Sequence, residues 1–134
     1  MTKTTLEQVR EFHETYGLPV EAAPNITDEK TNVLRINLLA EELEELQEAL
    51  KAGDIVEVLD ALTDLQYVLD GAYLSFGLHS VKAAAFDEVH ASNMSKLGED
   101  GKPIRRESDG KVLKGPNYWT PDLSKFIDEK DQAA

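Results

Sequence analysis

The chain has 134 residues, which suits a single domain covering 1–134 with a hydrophobic core of its own. Its 14 basic against 26 acidic residues give a net charge of −12, which argues against a nucleic-acid polymer or a membrane surface as the main partner and suits a divalent cation. With no cysteine, no signal-peptide core and no apolar run near the ~20 residues of a membrane span, a soluble cytoplasmic protein without disulfides or thiolate zinc sites is expected.

Four helices are predicted in chain order before residue 98. The first begins at a capping box, Thr4 with Glu7, and its three- and four-residue apolar spacing ends at Gly17. Residues 18–25 hold two prolines and no regular period, which predicts a connector. Thr27 or Asp28 is expected to cap the second helix, and Ser80 is expected to cap the fourth. The second, third and fourth helices are predicted at residues 32–51, 54–76 and about 81–97.

The two middle helices differ in their apolar patterns. The second has a regular apolar stripe, made of Ile36, Leu39, Leu43, Leu46 and Leu50. On the third helix apolar residues also flank the acids, so this helix is expected to be buried nearly all round. Acids on such a face carry a desolvation cost of several kcal/mol each unless they are paired or bound to a cation.

The character of the chain changes at Gly98. An Asp109-Gly110 turn between short apolar segments predicts a hairpin, and later prolines predict an irregular end that frays over 128–134. We therefore predict an all-α fold: an antiparallel bundle of about four helices (core 4–97) with an irregular tail (98–134) that contains a short hairpin.

Acidic residues recur at helical spacing on the second and third helices. Only Ala52 and Gly53 separate these helices, so they must run antiparallel and their middles must lie close together. Carboxylates without histidine or cysteine are ligands for Mg²⁺ or Mn²⁺ and not for zinc. The candidate metal ligands are Glu42, Glu45, Asp60, Asp64 and Glu57, with Glu41 beside them.

Other acids on these helices have simpler explanations. Glu44 and Glu48 point away from the leucine stripe and are expected to be solvated surface. Glu57 also has capping-box spacing from Asp54, so its role is either a ligand or part of a cap.

The stretches Leu39-Ala40-Glu41-Glu42-Leu43-Glu44-Glu45-Leu46 and Asp60-Ala61-Leu62-Thr63-Asp64-Leu65-Gln66-Tyr67 resemble the paired acidic helices of the all-α nucleoside triphosphate pyrophosphohydrolases, which include MazG-like proteins and phosphoribosyl-ATP pyrophosphohydrolase. The resemblance implies metal ligands at Glu42, Glu45 and Asp64. The family places a glutamate where this chain has Ala61, so the register of the remaining ligand, Asp60 or Glu57, stays open.

The tail carries the candidates for substrate binding. Seven of the 14 basic residues lie between Lys96 and Lys125, and a metal-bound triphosphate still needs cations on its outer oxygens. Each candidate has a structural alternative: solubility of the hairpin for the lysines, a helix cap for the asparagine, and packing for the tyrosine. These candidates are Asn93, Lys96, Lys111, Lys114 and Tyr118.

The resemblance implies Mg²⁺-dependent hydrolysis (Mn²⁺ in its place) of a nucleoside triphosphate or related nucleotide to the monophosphate and pyrophosphate, with Glu41 as the general base. It also implies a homo-oligomer, either a homodimer or a dimer of dimers. The alternatives are a dUTPase or phosphoribosyl-ATP hydrolase of the same fold and a non-enzymatic acidic helical module that binds a basic partner.

Overall fold

The computed structural model describes residues 2–127, and the chain divides into two compact units, one ending at Ser80 and the other beginning at Val81. Each unit is described by itself. The predicted fraying of 128–134 lies outside the described residues, and the single domain over 1–134 stays a prediction.

Three helices make up the first unit: α1 (Thr5–Tyr16), α2 (Glu29–Ala52) and α3 (Ile55–Ser75). The capping box at Thr4 and Glu7 is confirmed. The second helix begins at Glu29, and of its two predicted caps Asp28 is confirmed: the Asp28 side chain accepts a hydrogen bond from the backbone N–H of Thr31. Asp54 caps α3 in the same way, accepting from the backbone N–H groups of Val56 and Glu57.

The third helix is the centre of this unit, because α1 and α2 both pack against it. Between α2 and α3, Gly53 adopts a left-handed conformation with φ +68°, which lets the chain reverse within two residues. The connector after α1 is held to the far end of α3 by backbone hydrogen bonds, from Glu21 N–H to the Leu74 carbonyl and from Asn25 N–H to the Phe76 carbonyl.

The core of this unit contains polar groups as well as apolar ones. His13 and Arg35 are buried at 2% and 5% exposure and lie against the backbone of α3 at Gly71, while Asp70 is fully buried. The His13 ring bonds to the Pro19 carbonyl through Nδ1 at 2.9 Å. Burial lowers the pKa of both His13 and Arg35. These side chains tie α1 and α2 to α3 deep in the unit.

The leucine stripe of α2, in contrast, is covered only in part, since Leu39 and Leu46 are half-buried. Ile36, Leu43 and Leu50 are 63%, 55% and 62% exposed, and on α3 Ile55 and Leu59 are 77% and 65% exposed. The expectation that the third helix is buried nearly all round is therefore wrong for the single chain: α1 and α2 cover two of its sides, and the side that continues the leucine stripe faces outward.

The second unit has one long helix, α4 (Lys82–Met94), which follows a 3₁₀ turn at His79–Val81. The predicted cap at Ser80 is wrong, since Val81 occupies the N-cap position without a side-chain bond, and the helix ends three residues before the predicted Leu97. The predicted hairpin is confirmed: β1 (Ile104–Arg105) pairs antiparallel with β2 (Val112–Leu113). A second 3₁₀ turn lies at Ser124–Phe126. Within residues 2–127, no helix combines the length and apolarity that a bilayer crossing requires.

Gly77, just after α3, is expected to be the most sensitive glycine of the first unit. Its φ is +67°, and an added Cβ would lie 2.1 Å from the Ala23 carbonyl oxygen, a backbone atom that cannot rotate away. Gly77→Ala should therefore lower the free energy of unfolding by about 3 kcal/mol or more, measured by urea denaturation.

Gly53→Ala is the matched control. Gly53 has the same backbone conformation, with φ +68°, but nothing lies within 4 Å of the added Cβ. This substitution should lose only the ~1–2 kcal/mol of a left-handed non-glycine residue. Equal losses in the two variants would show that the packing of the connector on α3 contributes nothing.

Candidate metal centre

Three carboxylates meet where α2 faces α3. Glu42 and Glu45 lie one turn apart on α2, and Asp64 projects from the middle of α3. Each offers one oxygen, and these three oxygens all lie within 4.8 Å of one another. The antiparallel hairpin brings them together, because α2 and α3 pack along their length.

The environment of Glu42 disfavours a bare carboxylate. Its Oε2 atom is buried and finds no hydrogen-bond partner among the described residues. Burial, a hydrogen bond with Glu45 and the charges of Glu45, Asp64 and Asp60 raise the pKa of Glu42 to about 7. Burial also raises the pKa of Asp64, and the charges of Asp60 and Glu45 add to this effect.

This cluster suits a hard divalent cation. An ion among the three oxygens would neutralise their mutual repulsion and coordinate the orphaned Glu42 oxygen. The candidate ligand atoms are all carboxylate oxygens, the ligand type that Mg²⁺ and Mn²⁺ prefer, and none is the histidine nitrogen or cysteine sulfur that zinc favours. Glu42, Glu45 and Asp64 are therefore the residues that could hold a metal.

The remaining acids lie around this cluster. Asp60 is exposed, yet close enough for its charge to act on both Glu42 and Asp64. Glu41 is exposed on α2, one turn before Glu45. The expectation that the acids of the third helix lie on a buried face is wrong for Asp60, and Glu45 on α2 is exposed as well, since the hairpin leaves one edge of this cluster open to solvent.

That open edge is a groove of about 470 Å³ that runs toward the α2–α3 turn. Glu48 lies at this groove and is exposed, as predicted. The groove is lined by Glu45, Glu48, Ala49, Ala52, Asp54, Glu57, Asp60 and Ala61.

The predicted substrate-binding residues all belong to the second unit. Lys96 and Lys114 act electrostatically on Tyr118, and the Lys114 ammonium lies 4.9 Å from the centre of the Tyr118 ring. Asn93 is exposed in the last turn of α4, and Lys111 is exposed at the start of the second hairpin strand. The sequence reasoning did not single out Ser92, a buried neighbour of this group.

The raised pKa of Glu42 predicts how the metal-free protein responds to pH. Because the folded state holds the Glu42 proton up to about pH 7 while the unfolded state releases it near the ordinary 4.5, the folded state binds more protons between these values. Stability should therefore fall as pH rises through this window, by on the order of 1–3 kcal/mol. Urea unfolding between pH 5.5 and 8 measures this slope.

Glu42→Gln, which cannot titrate, is the control and should flatten the slope. Since a metal ligand must be deprotonated, Mg²⁺ binding near pH 7 should also release a proton, which calorimetry in buffers of different ionisation enthalpy detects. A wild-type protein that gains stability across the same window would contradict the assigned environment of Glu42.

The described chain is thus mostly helical, with an α2–α3 hairpin that brings together three carboxylates. The family model for phosphoribosyl-ATP pyrophosphohydrolase matches residues 9–93, more than half of the chain and nearly all of α1 to α4. The chain belongs to the phosphoribosyl-ATP pyrophosphohydrolase family.

Two individual proteins are also similar to the chain. An uncharacterized protein of Acanthamoeba polyphaga mimivirus is 36% identical over 101 residues, a match that covers 72% of this chain and 40% of the viral protein. The chain thus spans less than half the length of that relative. A crystal structure from Exiguobacterium sp. 255-15, provisionally named an NTP pyrophosphohydrolase, is 29% identical, with 90% of each chain covered and a TM-score of 0.45.

Proposed function

We propose that the protein is a Mg²⁺-dependent nucleotide pyrophosphohydrolase that converts a nucleoside triphosphate, or a related nucleotide, to the monophosphate and pyrophosphate. The observation that carries this proposal is the cluster of Glu42, Glu45 and Asp64, in which the buried Glu42 Oε2 atom has no hydrogen-bond partner within residues 2–127. Membership of a pyrophosphohydrolase family supports the same reaction.

In the proposed mechanism Glu42, Glu45 and Asp64 would hold the divalent ion, and Asp60 would add a further carboxylate at the open edge. The bound ion would supply charge neutralisation on the phosphate oxygens and a lower pKa for a water molecule. Glu41 is proposed to orient and deprotonate the attacking water, because it is exposed on α2 one turn from Glu45 and its carboxylate is free of other bonds among the described residues.

The outer phosphates require cations that the acidic helices do not supply. Lys96, Lys111 and Lys114 are the proposed donors, with Asn93 and Tyr118 as further contacts to the nucleotide. A triphosphate bound to one divalent ion remains negative. The lysines would therefore contribute to binding mainly by neutralising this charge.

We also propose that the protein pairs with a second copy of itself. The exposed stripe on α2 and the exposed apolar residues of α3 support this proposal, because a monomer rarely leaves so many large apolar side chains in contact with water. Burying both stripes would place two α2–α3 hairpins face to face, as a homodimer or as the building block of a dimer of dimers.

A panel of substrates tests the reaction. The protein is incubated with common and modified nucleoside triphosphates, dUTP and phosphoribosyl-ATP, each with Mg²⁺, Mn²⁺ or EDTA, and loss of substrate is followed. Turnover that depends on the divalent ion supports the proposal, and the preferred substrate separates a general hydrolase from a dUTPase or a phosphoribosyl-ATP hydrolase. No turnover of any of them, with no effect of Mg²⁺ on the melting temperature, would favour the non-enzymatic acidic module.

A further inference from the structure

The carboxylates of Glu42 and Asp64 lie on one seam between α2 and α3. On α2, Arg35 and Ala49 lie seven residues before and after Glu42, so these three residues share one face of the helix. On α3, Gly71 lies seven residues after Asp64 and shares its face. The contacts on either side of the carboxylates therefore determine how far apart α2 and α3 lie at the candidate metal centre.

At Gly71, side chains of the other two helices reach the backbone of α3. A Cβ added there would lie 2.7 Å from Arg35 Nη1 and 3.1 Å from His13 Nε2. Neither side chain has open space around it, because Arg35 and His13 are 5% and 2% exposed and the His13 ring also bonds to the Pro19 carbonyl. Since alanine forms helices better than glycine, this close approach is the reason for a glycine inside α3.

Alanines close the seam on the other side of the carboxylates. Ala49 on α2 and Ala61 on α3 are 6% and 2% exposed, and both line the groove that runs toward the α2–α3 turn. Each contributes only a methyl group, so the two helix backbones can approach closely here as well. The carboxylates thus lie between two places where small residues keep α2 close to α3.

The turn at Gly53 is the pivot of the α2–α3 hairpin. At about 1.5 Å per residue, Glu42 lies about 16 Å and Arg35 about 27 Å along α2 from Gly53, so a shift of about 1 Å at Arg35 would open the hairpin by about 0.6 Å at Glu42. Mg²⁺ requires oxygens at about 2.0–2.1 Å in nearly ideal geometry, whereas Ca²⁺ accepts about 2.3–2.6 Å and a flexible arrangement. An opening of this size therefore disfavours the smaller ion.

We infer that Gly71 and Ala49 set the width of the metal centre, because they hold Glu42 and Asp64 at a separation that suits Mg²⁺ and disfavours the larger Ca²⁺. Both are positioning residues, since they act through the spacing of the helices and not through contact with metal or substrate. The use of this cluster as a metal centre rests on the proposed function, whereas the seam itself rests on the packing of α2 on α3.

Competition against Mn²⁺, followed by the electron paramagnetic resonance signal of the free ion, measures Mg²⁺ and Ca²⁺ affinity without turnover. Gly71→Ala should weaken Mg²⁺ binding by at least ~10-fold and Ca²⁺ binding by less than ~3-fold, so that the preference for Mg²⁺ falls. Ala49→Val adds bulk on the other side of the carboxylates and should lower the preference in the same direction. It carries the test if Gly71→Ala does not fold.

A rescue variant and a control accompany these measurements. Gly71→Ala/Arg35→Met should restore most of the preference, because methionine is too short to meet the added methyl group. Val9, which is 1% exposed, lines the cleft between α1 and α3 away from this seam. Val9→Ala should destabilise the same unit by leaving a cavity, yet change both affinities by less than ~2-fold.

The outcomes separate this inference from the proposed reaction. An unchanged preference in both Gly71→Ala and Ala49→Val, in a protein that hydrolyses a nucleotide with Mg²⁺, would reject the inference alone. A fallen preference in both variants of a protein that hydrolyses no nucleotide would sustain the inference and reject the hydrolase. The inference is also overturned if the wild type binds neither ion or binds Ca²⁺ at least as tightly as Mg²⁺, or if Val9→Ala lowers the preference as much as Gly71→Ala does.

Discussion

Glu42→Gln is expected to reduce turnover by at least ~100-fold, because it removes a ligand from the metal cluster and with it about 3 kcal/mol or more of transition-state stabilisation. Asp64→Asn should have a comparable effect. Mg²⁺ should raise the melting temperature of the wild-type protein, and both variants should lose this rise.

The same variants should be more stable than the wild type when no metal is present. Neutralising Glu42 or Asp64 relieves the repulsion and desolvation that raise the pKa of each carboxyl group, a gain on the order of 1 kcal/mol, or a few degrees in melting temperature. This opposite response distinguishes ligands from structural residues, whose loss destabilises the fold with or without metal.

Glu44→Gln is the matched control for both measurements. Glu44 lies on α2 between Glu42 and Glu45 but is exposed and outside the three-carboxylate cluster. It should leave turnover within ~2-fold of the wild type. If Glu42→Gln and Glu44→Gln change turnover and melting temperature equally, the acids of α2 act as a diffuse charged surface, and the assignment of a metal centre is wrong.

Leu59→Lys is expected to dissociate the proposed homodimer. Leu59 is 65% exposed in the single chain and lies on the apolar face of α3 that the proposed pairing would bury. An unpaired ammonium at this position costs several kcal/mol when buried, so the dimer dissociation constant should rise by ~100-fold or more. Sedimentation velocity measures the change.

Ile26→Lys provides the comparison. Ile26 is 80% exposed on the connector before α2, outside both apolar faces, so the same substitution there should leave the dimer intact. A wild-type protein that sediments as a monomer at all concentrations would show that the exposed faces of α2 and α3 serve another partner.

Local signals in the sequence account well for the helices. Three of these signals act through hydrogen bonds and backbone angles within a few residues, so the helix ends and the hairpin could be predicted without the rest of the fold. They are the capping box of Thr4 with Glu7, the C-cap at Gly53 and the Asp109-Gly110 turn. Ser80 does not cap α4 because it lies within the 3₁₀ turn at His79–Val81, and the position of this turn depends on where α3 ends.

The acidic centre could be predicted only in outline. Helical spacing shows which acids share a face of α2, but the register between α2 and α3 depends on packing, and that packing places Asp64 in the three-carboxylate cluster and Asp60 at its edge. Which faces of α3 are buried was harder to predict. The apolar period of α3 predicts a contact without saying whether α1, α2 or another copy of the chain supplies it.

The contact between Gly115 and the end of α4 could not be predicted at all from spacing, because it joins residues that local rules do not relate. A glycine beside a proline indicates a turn equally well whether or not a backbone passes close to it. Lys114 and Tyr118 could be proposed together from the sequence of the tail, but the contact between the Lys114 ammonium and the Tyr118 ring emerges only from the fold.

The identity of the products tests the central claim most directly. Phosphorus NMR of the reaction with Mg²⁺ and the preferred nucleotide should show one pyrophosphate for each monophosphate formed, and neither product in EDTA. Release of orthophosphate and a nucleoside diphosphate, or equal turnover in EDTA, would contradict a metal-dependent pyrophosphohydrolase.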